Sequence, residues 1–393
     1  MIGLFNDCFP PIMDGVSVTT SNYAKWLSRL RGDVCVVTPN APEADDSKTG
    51  YPVLRYFSLP IPMRRPYRYG MPQADLMFQH RIGQTPFSLV HAHCPFSSGE
   101  LALGIASSRH IPLVATFHSK YRTDFERVFR NKYVVDYLIQ KIVSFYNQAD
   151  EVWIPQESVG ETLLEYGYKG RMEVVDNGND FASTPYSPEL KAEARRSLRI
   201  NADMPMLLFV GQHIWEKNVG LILQSLARLR HVSFSMVFVG TGYAAEMMRR
   251  MADDLGLTVP DGNGHVRVRF DGPVYDRETM RRYYLAADLF LFPSLYDNAP
   301  LVVREAAAMH TPAVMAEGST AASVVADGQN GFLSKPDVES FAHKIESLLS
   351  SPLAIERAGA GAAHTLARSW EDIAGEVSDR YDHLIRRYET KVV

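Results

Sequence analysis

Three cysteines in 393 residues, Cys8, Cys35 and Cys94, are too few and too scattered for a disulfide framework or a four-ligand metal cage. Reduced thiols fit. No apolar run approaches the ~18 residues that a membrane-crossing helix needs. The opening Met1-Ile2-Gly3-Leu4-Phe5 reaches Asn6-Asp7 too soon to supply the apolar core of a signal peptide, so a cytosolic chain is expected. An excess of one charge is also lacking. With 41 Lys plus Arg against 45 Asp plus Glu, the formal net charge of −4 gives no sequence-independent pull toward phosphate backbones, which disfavours nucleic acid as a partner. Anionic small ligands stay open. There is no fixed-period repeat, low-complexity tract or long charge block. What is present is an ordinary globular composition, 46% hydrophobic and 22% charged, with enough apolar mass for two domains.

Short β-branched runs alternate with helix-period segments from one end to the other, the pattern of strand-helix-strand units around parallel sheets, so the fold class is α/β. The first half predicts strands at 2–5, 34–38, 53–56, 89–92, 113–116, 152–154 and 172–175, with helices such as 18–30 and 101–109 between them. The stretch from Asn177-Gly178 through Ser183-Thr184-Pro185-Tyr186-Ser187-Pro188 turns polar and Pro-rich, which places the domain boundary there: 1–185 and 186–370. A second series of strands follows at 206–210, 236–239, 266–270, 289–292 and 313–315. Two doubly wound domains in series can turn the carboxyl ends of both sheets toward one cleft, the usual ligand location in open α/β sheets. A last helix, about 371–393, carries Ile373, Val377, Tyr381, Leu384 and Tyr388 at intervals of three and four and needs a surface to lie on. The first domain is one candidate for that surface.

Val210-Gly211-Gln212-His213-Ile214-Trp215-Glu216-Lys217-Asn218 follows a strand of pure core character and precedes a helix. A glycine there lets backbone N–H groups approach a phosphate, and a lysine can supply a compact positive charge. A plain turn with a solvated lysine fits this segment equally well. Sharper is Pro293-Ser294-Leu295-Tyr296-Asp297-Asn298-Ala299-Pro300-Leu301, followed by Val302-Val303-Arg304-Glu305. The residue before proline avoids the α region, so a helix is expected to start at Pro300 or Leu301. Asp297 then lies in a loop above a strand end and Glu305 about one turn into the helix, so two carboxylates flank a run of N–H donors. A sugar nucleotide needs both kinds of group, acceptors for its hydroxyls and donors for its diphosphate. Taken alone, an acidic residue near a helix start and a solvated Glu explain the segment better.

The ordered series Val210-Gly211, Glu216-Lys217, Phe238-Val239-Gly240, Ala286-Ala287-Asp288-Leu289-Phe290, Pro293-Ser294-Leu295-Tyr296, Asp297 to Glu305 and Asp327-Gly328-Gln329-Asn330-Gly331 resembles the C-terminal half of the retaining glycosyltransferases of family 4. The N-terminal half agrees through Asp14-Gly15-Val16, Val90-His91-Ala92-His93, Ala115-Thr116-Phe117-His118-Ser119 and Val175-Asp176-Asn177-Gly178-Asn179-Asp180. The resemblance implies the GT-B fold, two Rossmann-like domains facing a central cleft, and a metal-independent transfer of a hexose from a nucleotide-diphosphate sugar. No further cofactor is implied.

Carried over position by position, the resemblance makes Glu305 the residue that grips the donor ribose. Asp297, in place of the family's first Glu, is the carboxylate beside the transferred sugar. Lys217 matches the lysine that neutralises the leaving diphosphate. Its usual arginine partner is Gln212 here, which removes one fixed positive charge. Gly211, Gln212, Asn298, Ala299 and Leu301 complete the expected donor site, and Gly15 matches a loop glycine that approaches the donor phosphate from the first domain. Pro300 interrupts a stretch that is commonly Gly-Phe-Gly and has no N–H to give, so a narrowed or shifted donor pocket is expected. His118 matches an active-site histidine near the transferred sugar, so the resemblance casts His118, Lys217 and Asp297 as the catalytic residues. His91, His93 and Cys94 invite a metal reading, which is set aside because no further ligands with zinc spacing follow.

Arg64-Arg65-Pro66-Tyr67-Arg68-Tyr69 and Lys120-Tyr121-Arg122 interleave basic and aromatic residues. As residues alone they read as solvated surface; their composition also suits anionic lipid head groups. The resemblance of 116–122 to family members that glycosylate membrane lipids such as diacylglycerol makes Arg65, Tyr121 and Arg122 acceptor-binding candidates. It also points to work at the inner face of an anionic membrane. Two rivals remain open: transfer to a surface polysaccharide or a lipid-linked oligosaccharide, and a catalytically degenerate module that only binds a sugar nucleotide. A dinucleotide oxidoreductase is weakened by the lack of a Gly-x-Gly-x-x-Gly turn in the first strand-helix unit.

Overall fold

The computed structural model describes residues 1–62, 66–260 and 265–391. It forms two compact units, Met1–Gly178 with Trp370–Val393 and Asn179–Ser369.

The first unit is built on β1 (Ile2–Phe5), β2 (Val34–Pro39) and β3 (Val53–Tyr56), a small antiparallel pair β4 (Ser58–Pro60) and β5 (Arg68–Gly70), and then β6 (Leu89–Ala92), β7 (Leu113–Thr116), β8 (Glu151–Ile154) and β9 (Glu173–Val174). Its main sheet is parallel, in the order β3-β2-β1-β6-β7-β8-β9. β1, β2, β6 and β7 are buried along their whole length, as strands covered on both faces must be. The order reverses between β1 and β6, so the loops that follow these two strands part at the sheet's carboxyl end. The small β4–β5 pair had no signal in the hydrophobic pattern.

The last helix, Trp370–Lys391, packs against the first, Gly15–Arg31, and both belong to the first unit. Ile373, Val377, Tyr381 and Leu384 are buried, each contributing about 1.5–3 kcal/mol. Arg31 also reaches Asp382 at 2.7 Å, but that acid is half exposed and such a pair is worth about 0–1 kcal/mol. The apolar stripe therefore docks the helix.

The second unit carries β10 (Met206–Val210), β11 (Ser235–Val239), β12 (Val268–Gly272), β13 (Leu289–Phe292), β14 (Ala313–Ala316) and β15 (Phe332–Ser334) in the parallel order β12-β11-β10-β13-β14-β15. Here the order reverses between β10 and β13. The division between units falls after Gly178, at the start of the polar stretch and ahead of its prolines, not after residue 185. Gly178 lies under Trp370, where a Cβ would come within 2.6 Å of the Trp370 Cα, while Phe181 is 3% exposed in the second core. The Pro-rich stretch lies inside the second unit, where Ser187 caps the helix Pro188–Ser197 by accepting from the Leu190 N–H at 3.2 Å. β12 starts two residues later than the pattern suggested. Arg267, just before it, turns its guanidinium over the Phe234 ring at 4.3 Å and onto the Leu229 carbonyl.

At the carboxyl end of this sheet the backbones of successive loops touch. The Gly211 N–H donates to the Val239 carbonyl at 3.1 Å, and the Gly240 N–H donates to the Gly272 carbonyl at 2.8 Å. Gly240 has a φ of 136°, and a Cβ there would fall 1.9 Å from the Gly211 carbonyl oxygen. Only glycine permits both the conformation and the approach.

Candidate functional site

The loops that leave β10 and β13 flank the point where the strand order of the second unit reverses, the expected ligand position in an open α/β sheet. After β10 the chain makes a short 3₁₀ turn, Trp215–Lys217, closed by Asn218 in the left-handed region (φ 57°). This turn aims Lys217 at the loop after β13. Its Nζ donates to both carboxylate oxygens of Asp297, at 2.7 and 2.9 Å, and lies 5.2 Å from the centre of the Phe292 ring. Buried Ser294 donates its hydroxyl to Asp297 Oδ2 at 2.6 Å and accepts the Asp297 and Tyr296 N–H groups, fixing the loop. An ammonium has three donors, so the two bonds to Asp297 leave one for an incoming anion.

The helix that follows runs Leu301–Ala308, with Pro300 as its N-cap (φ −69°, ψ 122°), in line with the start expected from Pro300. Its first-turn amides, Leu301 and Val302, have no acceptor within the helix by construction. Asn298 is buried, whereas Ala299 and Leu301 are partly exposed. Glu305 lies one turn in, 8% exposed, and is not solvated. Its Oε1 accepts from Arg277 at 2.6 Å and its Oε2 from the Tyr284 hydroxyl at 2.7 Å. Arg277 also reaches Asp180 at 3.2 Å and covers the Phe181 ring at 4.5 Å. Burial pulls the Arg277 guanidinium down, but Glu305 and Asp180 outweigh it and hold the group above its ordinary range. Burial, reinforced by Glu305, pushes the Tyr284 hydroxyl well up.

The region therefore contains two acid-base pairs, Lys217–Asp297 and Arg277–Glu305, on either side of one helix start. Arg277, Tyr284 and Ser294 had no assigned role in the sequence reading. Arg277 and Glu305 lie 28 residues apart on successive crossover helices, and no local spacing links them.

One expected donor contact needs correction. The Gly211 N–H is spent on Val239 and is not available to a phosphate; with a φ of 153°, Gly211 instead gives passage to the Lys217 stem, whose Cδ would lie 3.5 Å from a Cβ there. Gln212 is exposed and brings no charge.

Between these loops His213 is fully buried against Phe209, Phe238 and Phe270, and neither ring nitrogen has a hydrogen-bond partner. Burial, with Arg249 nearby, lowers its pKa to about 4 from 6.5. The unfolded chain therefore binds a proton below about 6.5 that the folded chain refuses until about 4, so stability is lost as pH falls through that window. His213→Leu is expected to raise stability at pH 7 and to lose less of it between pH 7 and pH 5 than the unsubstituted chain. Urea unfolding at the two pH values reads the difference; equal losses would contradict this account of His213.

In the first unit, the loop after β7 carries His118, whose Nε2 lies 3.2 Å from His93 Nδ1. Burial lowers the His118 pKa to about 4, so its imidazole is neutral at pH 7. His91 is bonded to Tyr381 and Thr116, and Cys94 donates to Asn6. Gly15 is exposed at the start of the first helix, where a Cβ would meet nothing within 4 Å. The helix is capped by Asp14, which accepts from the Ser17 N–H at 2.8 Å.

Of the expected acceptor residues, Tyr121 and Arg122 are described, and they differ in exposure. Tyr121 is only 5% exposed, packed among Phe96, Phe117 and Phe125, so its ring is a core group and the expectation that it meets an acceptor is corrected. Arg122 is partly exposed, paired with Asp136 at 2.7 Å. Arg65 lies outside the described residues.

Residues 191–365 match the family model described as Glycosyl transferases group 1, and residues 13–182 match Glycosyltransferase Family 4, so the two together span most of the chain. The alpha-monoglucosyldiacylglycerol synthase of Streptococcus pneumoniae (strain ATCC BAA-255 / R6) is 24% identical over 386 residues, covering 95% of this chain and 82% of that protein. Among solved structures, Anabaena Alr3699/HepE in complex with UDP and glucose superposes with a TM-score of 0.76 at 18% identity, covering 97% of this chain and 99% of the other. The sucrose-phosphate synthase of Thermosynechococcus elongatus gives 0.78 at 19% identity, covering 98% and 99%. Their GT-B architecture of two Rossmann-like domains is the fold seen here.

Proposed function

This chain belongs to glycosyltransferase family 4 and is a glycosyltransferase, and from that premise we propose that it moves a hexose, with retention and without a metal ion, from a nucleotide-diphosphate sugar to a membrane lipid such as diacylglycerol. The observation that carries the donor side is the Lys217–Asp297 pair at the strand-order reversal, beside the Leu301 helix start. A leaving diphosphate gathers negative charge as the glycosidic bond breaks, and a held ammonium with a spare donor is suited to that charge. Amides of the Leu301 helix start add donors for the same phosphates. Asp297 lies where it can accept from a sugar hydroxyl, and Glu305 keeps a second lone pair on each oxygen for the two ribose hydroxyls. The neutral imidazole of His118 is suited to a hydrogen bond with the transferred sugar. No strong protein base is required if the acceptor hydroxyl attacks on the face from which the phosphate leaves and gives it the proton.

Support for the lipid acceptor comes from the diacylglycerol glycosyltransferase relative, which aligns over nearly the whole chain. With Tyr121 in the core, the acceptor side rests less on individual residues than on that relationship. Peripheral contact with an anionic membrane and a cytoplasmic location accompany this reading; among the described residues no helix is long and apolar enough to cross a membrane.

The test is incubation with UDP-glucose, other nucleotide hexoses and vesicles containing diacylglycerol, followed by solvent extraction and mass spectrometry. The expected product is an extractable glycolipid with an α-linked hexose. Sugar appearing only in a non-extractable glycan would favour the polysaccharide rival. Donor binding without nucleoside diphosphate release would favour the degenerate module.

A further inference from the structure

Three imidazoles meet at the carboxyl ends of β6 and β7 in the first unit. His91 on β6 and His93 just past its end stack with ring centres 4.1 Å apart, and His93 in turn stacks on His118 at 5.5 Å. His91 and His93 are completely buried, and burial lowers all three pKa values, so each ring carries a single N–H at neutral pH. His91 spends both nitrogens, Nδ1 on the Tyr381 hydroxyl at 2.5 Å and Nε2 on the Thr116 hydroxyl at 2.7 Å. The last helix thus reaches the histidine stack through Tyr381.

His93 is different. Its Nδ1 lies 3.2 Å from His118 Nε2, and its Nε2 is buried with no partner. One proton must sit between the two rings, and there are two ways to place it. If His118 Nε2–H donated, the single hydrogen of His93 would be forced onto Nε2, a buried N–H with no acceptor beyond the aromatic surroundings of Tyr23. Orphaned buried donors are rare, and an aromatic face is a weak substitute. If His93 Nδ1–H donates instead, its Nε2 is a bare lone pair against packed rings, the better tolerated of the two.

We infer that His93 is a positioning residue, donating from Nδ1 to His118 Nε2 and so fixing His118 as its Nδ1–H tautomer. This rests on the proposed role of His118 beside the transferred sugar and specifies it. The Nε2 lone pair of His118 is thereby spent on His93, and His118 cannot take a proton there without first losing that bond.

The experiment is long-range ¹H–¹⁵N NMR on the full chain labelled at histidine, with the His118 signals assigned from His118→Gln. The expected spectrum has a protonated Nδ1 and a bare Nε2 at His118. His93→Phe keeps a ring in the stack but removes the donor. It is expected to scramble the tautomer and lower kcat about tenfold, with KM for donor and acceptor near the original. His93→Asn, whose amide can donate from nearly the same place, is expected to restore the spectrum and most of kcat. A protonated Nε2 on His118 in the unsubstituted protein would overturn the inference without any variant having to fold. So would His93→Phe leaving both spectrum and kcat unchanged. Because the spectrum is read without substrate, a protein that transferred no sugar would sink the proposed function while leaving the tautomer decided.

Discussion

Lys217→Met is expected to lower turnover by about 10²–10³-fold, the loss typical of removing one preorganised group from a developing oxyanion. Burying a neutral thioether where an ammonium stood also strands Asp297, whose remaining side-chain partner in the loop is Ser294. Asp297 is 17% exposed, between the limits of a surface pair and a fully buried one, so the stability cost is set at about 2 kcal/mol. These effects are separable. In Lys217→Met/Asp297→Asn the stranded charge is gone, and most of the lost stability should return while turnover stays low. Urea unfolding and initial rates of nucleoside diphosphate release read the two quantities on the same preparations. Recovery of turnover in the double variant would mean that the lysine serves the fold and not the leaving group.

Glu305→Gln should weaken nucleoside diphosphate binding by about 10–100-fold, the range for losing a hydrogen bond to a charged acceptor. The reason is specific to the arrangement here. Each carboxylate oxygen already accepts one bond, from Arg277 at 2.6 Å and from Tyr284 at 2.7 Å, so a ribose diol must take the second lone pair on each. An amide can keep only one acceptor oxygen, and its NH₂ group faces a donor on at least one side. Titration calorimetry with UDP and with 2′,3′-dideoxy-UDP separates a ribose contact from a general loss. The unsubstituted chain should prefer the ribonucleotide, and Glu305→Gln should bind the two nearly alike. A preference that survives the substitution would remove the ribose from Glu305.

The strands that frame this site were readable because nothing else competes for their sequences. Met206–Val210 and Leu289–Phe292 are unbroken apolar runs ending in a Gly or a Pro, and each is fully buried in the parallel sheet. The start of the helix at Leu301 was readable for an equally local reason, since a proline constrains the residue before it and can serve as a cap. The stripe of the last helix was also plain, although the pattern alone did not name its partner. Pairings across crossovers were not readable. His93 and His118 become neighbours only once adjacent β6 and β7 deliver them to the same end of a sheet, and Arg277 meets Glu305 only once the two crossover helices pack together. Spacings of 28 and 25 residues carry no local signal. Tyr121 misled for a related reason. Basic residues on both sides made the segment look like surface, yet it opens the helix Tyr121–Val128 with its ring turned into an aromatic cluster. The boundary between the units was displaced because polar, Pro-rich composition marks a loop, while membership of a unit is decided by apolar anchors such as Phe181.

A crystal structure with a bound nucleotide sugar, or with the nucleoside diphosphate alone, examines the central claim most directly. The account predicts a diphosphate oxygen at about 3 Å from Lys217 Nζ, a further phosphate oxygen on the first-turn amides of the Leu301 helix, and the ribose hydroxyls on Glu305. A diphosphate held elsewhere, with Lys217 still closed on Asp297 and touching no phosphate, would contradict it.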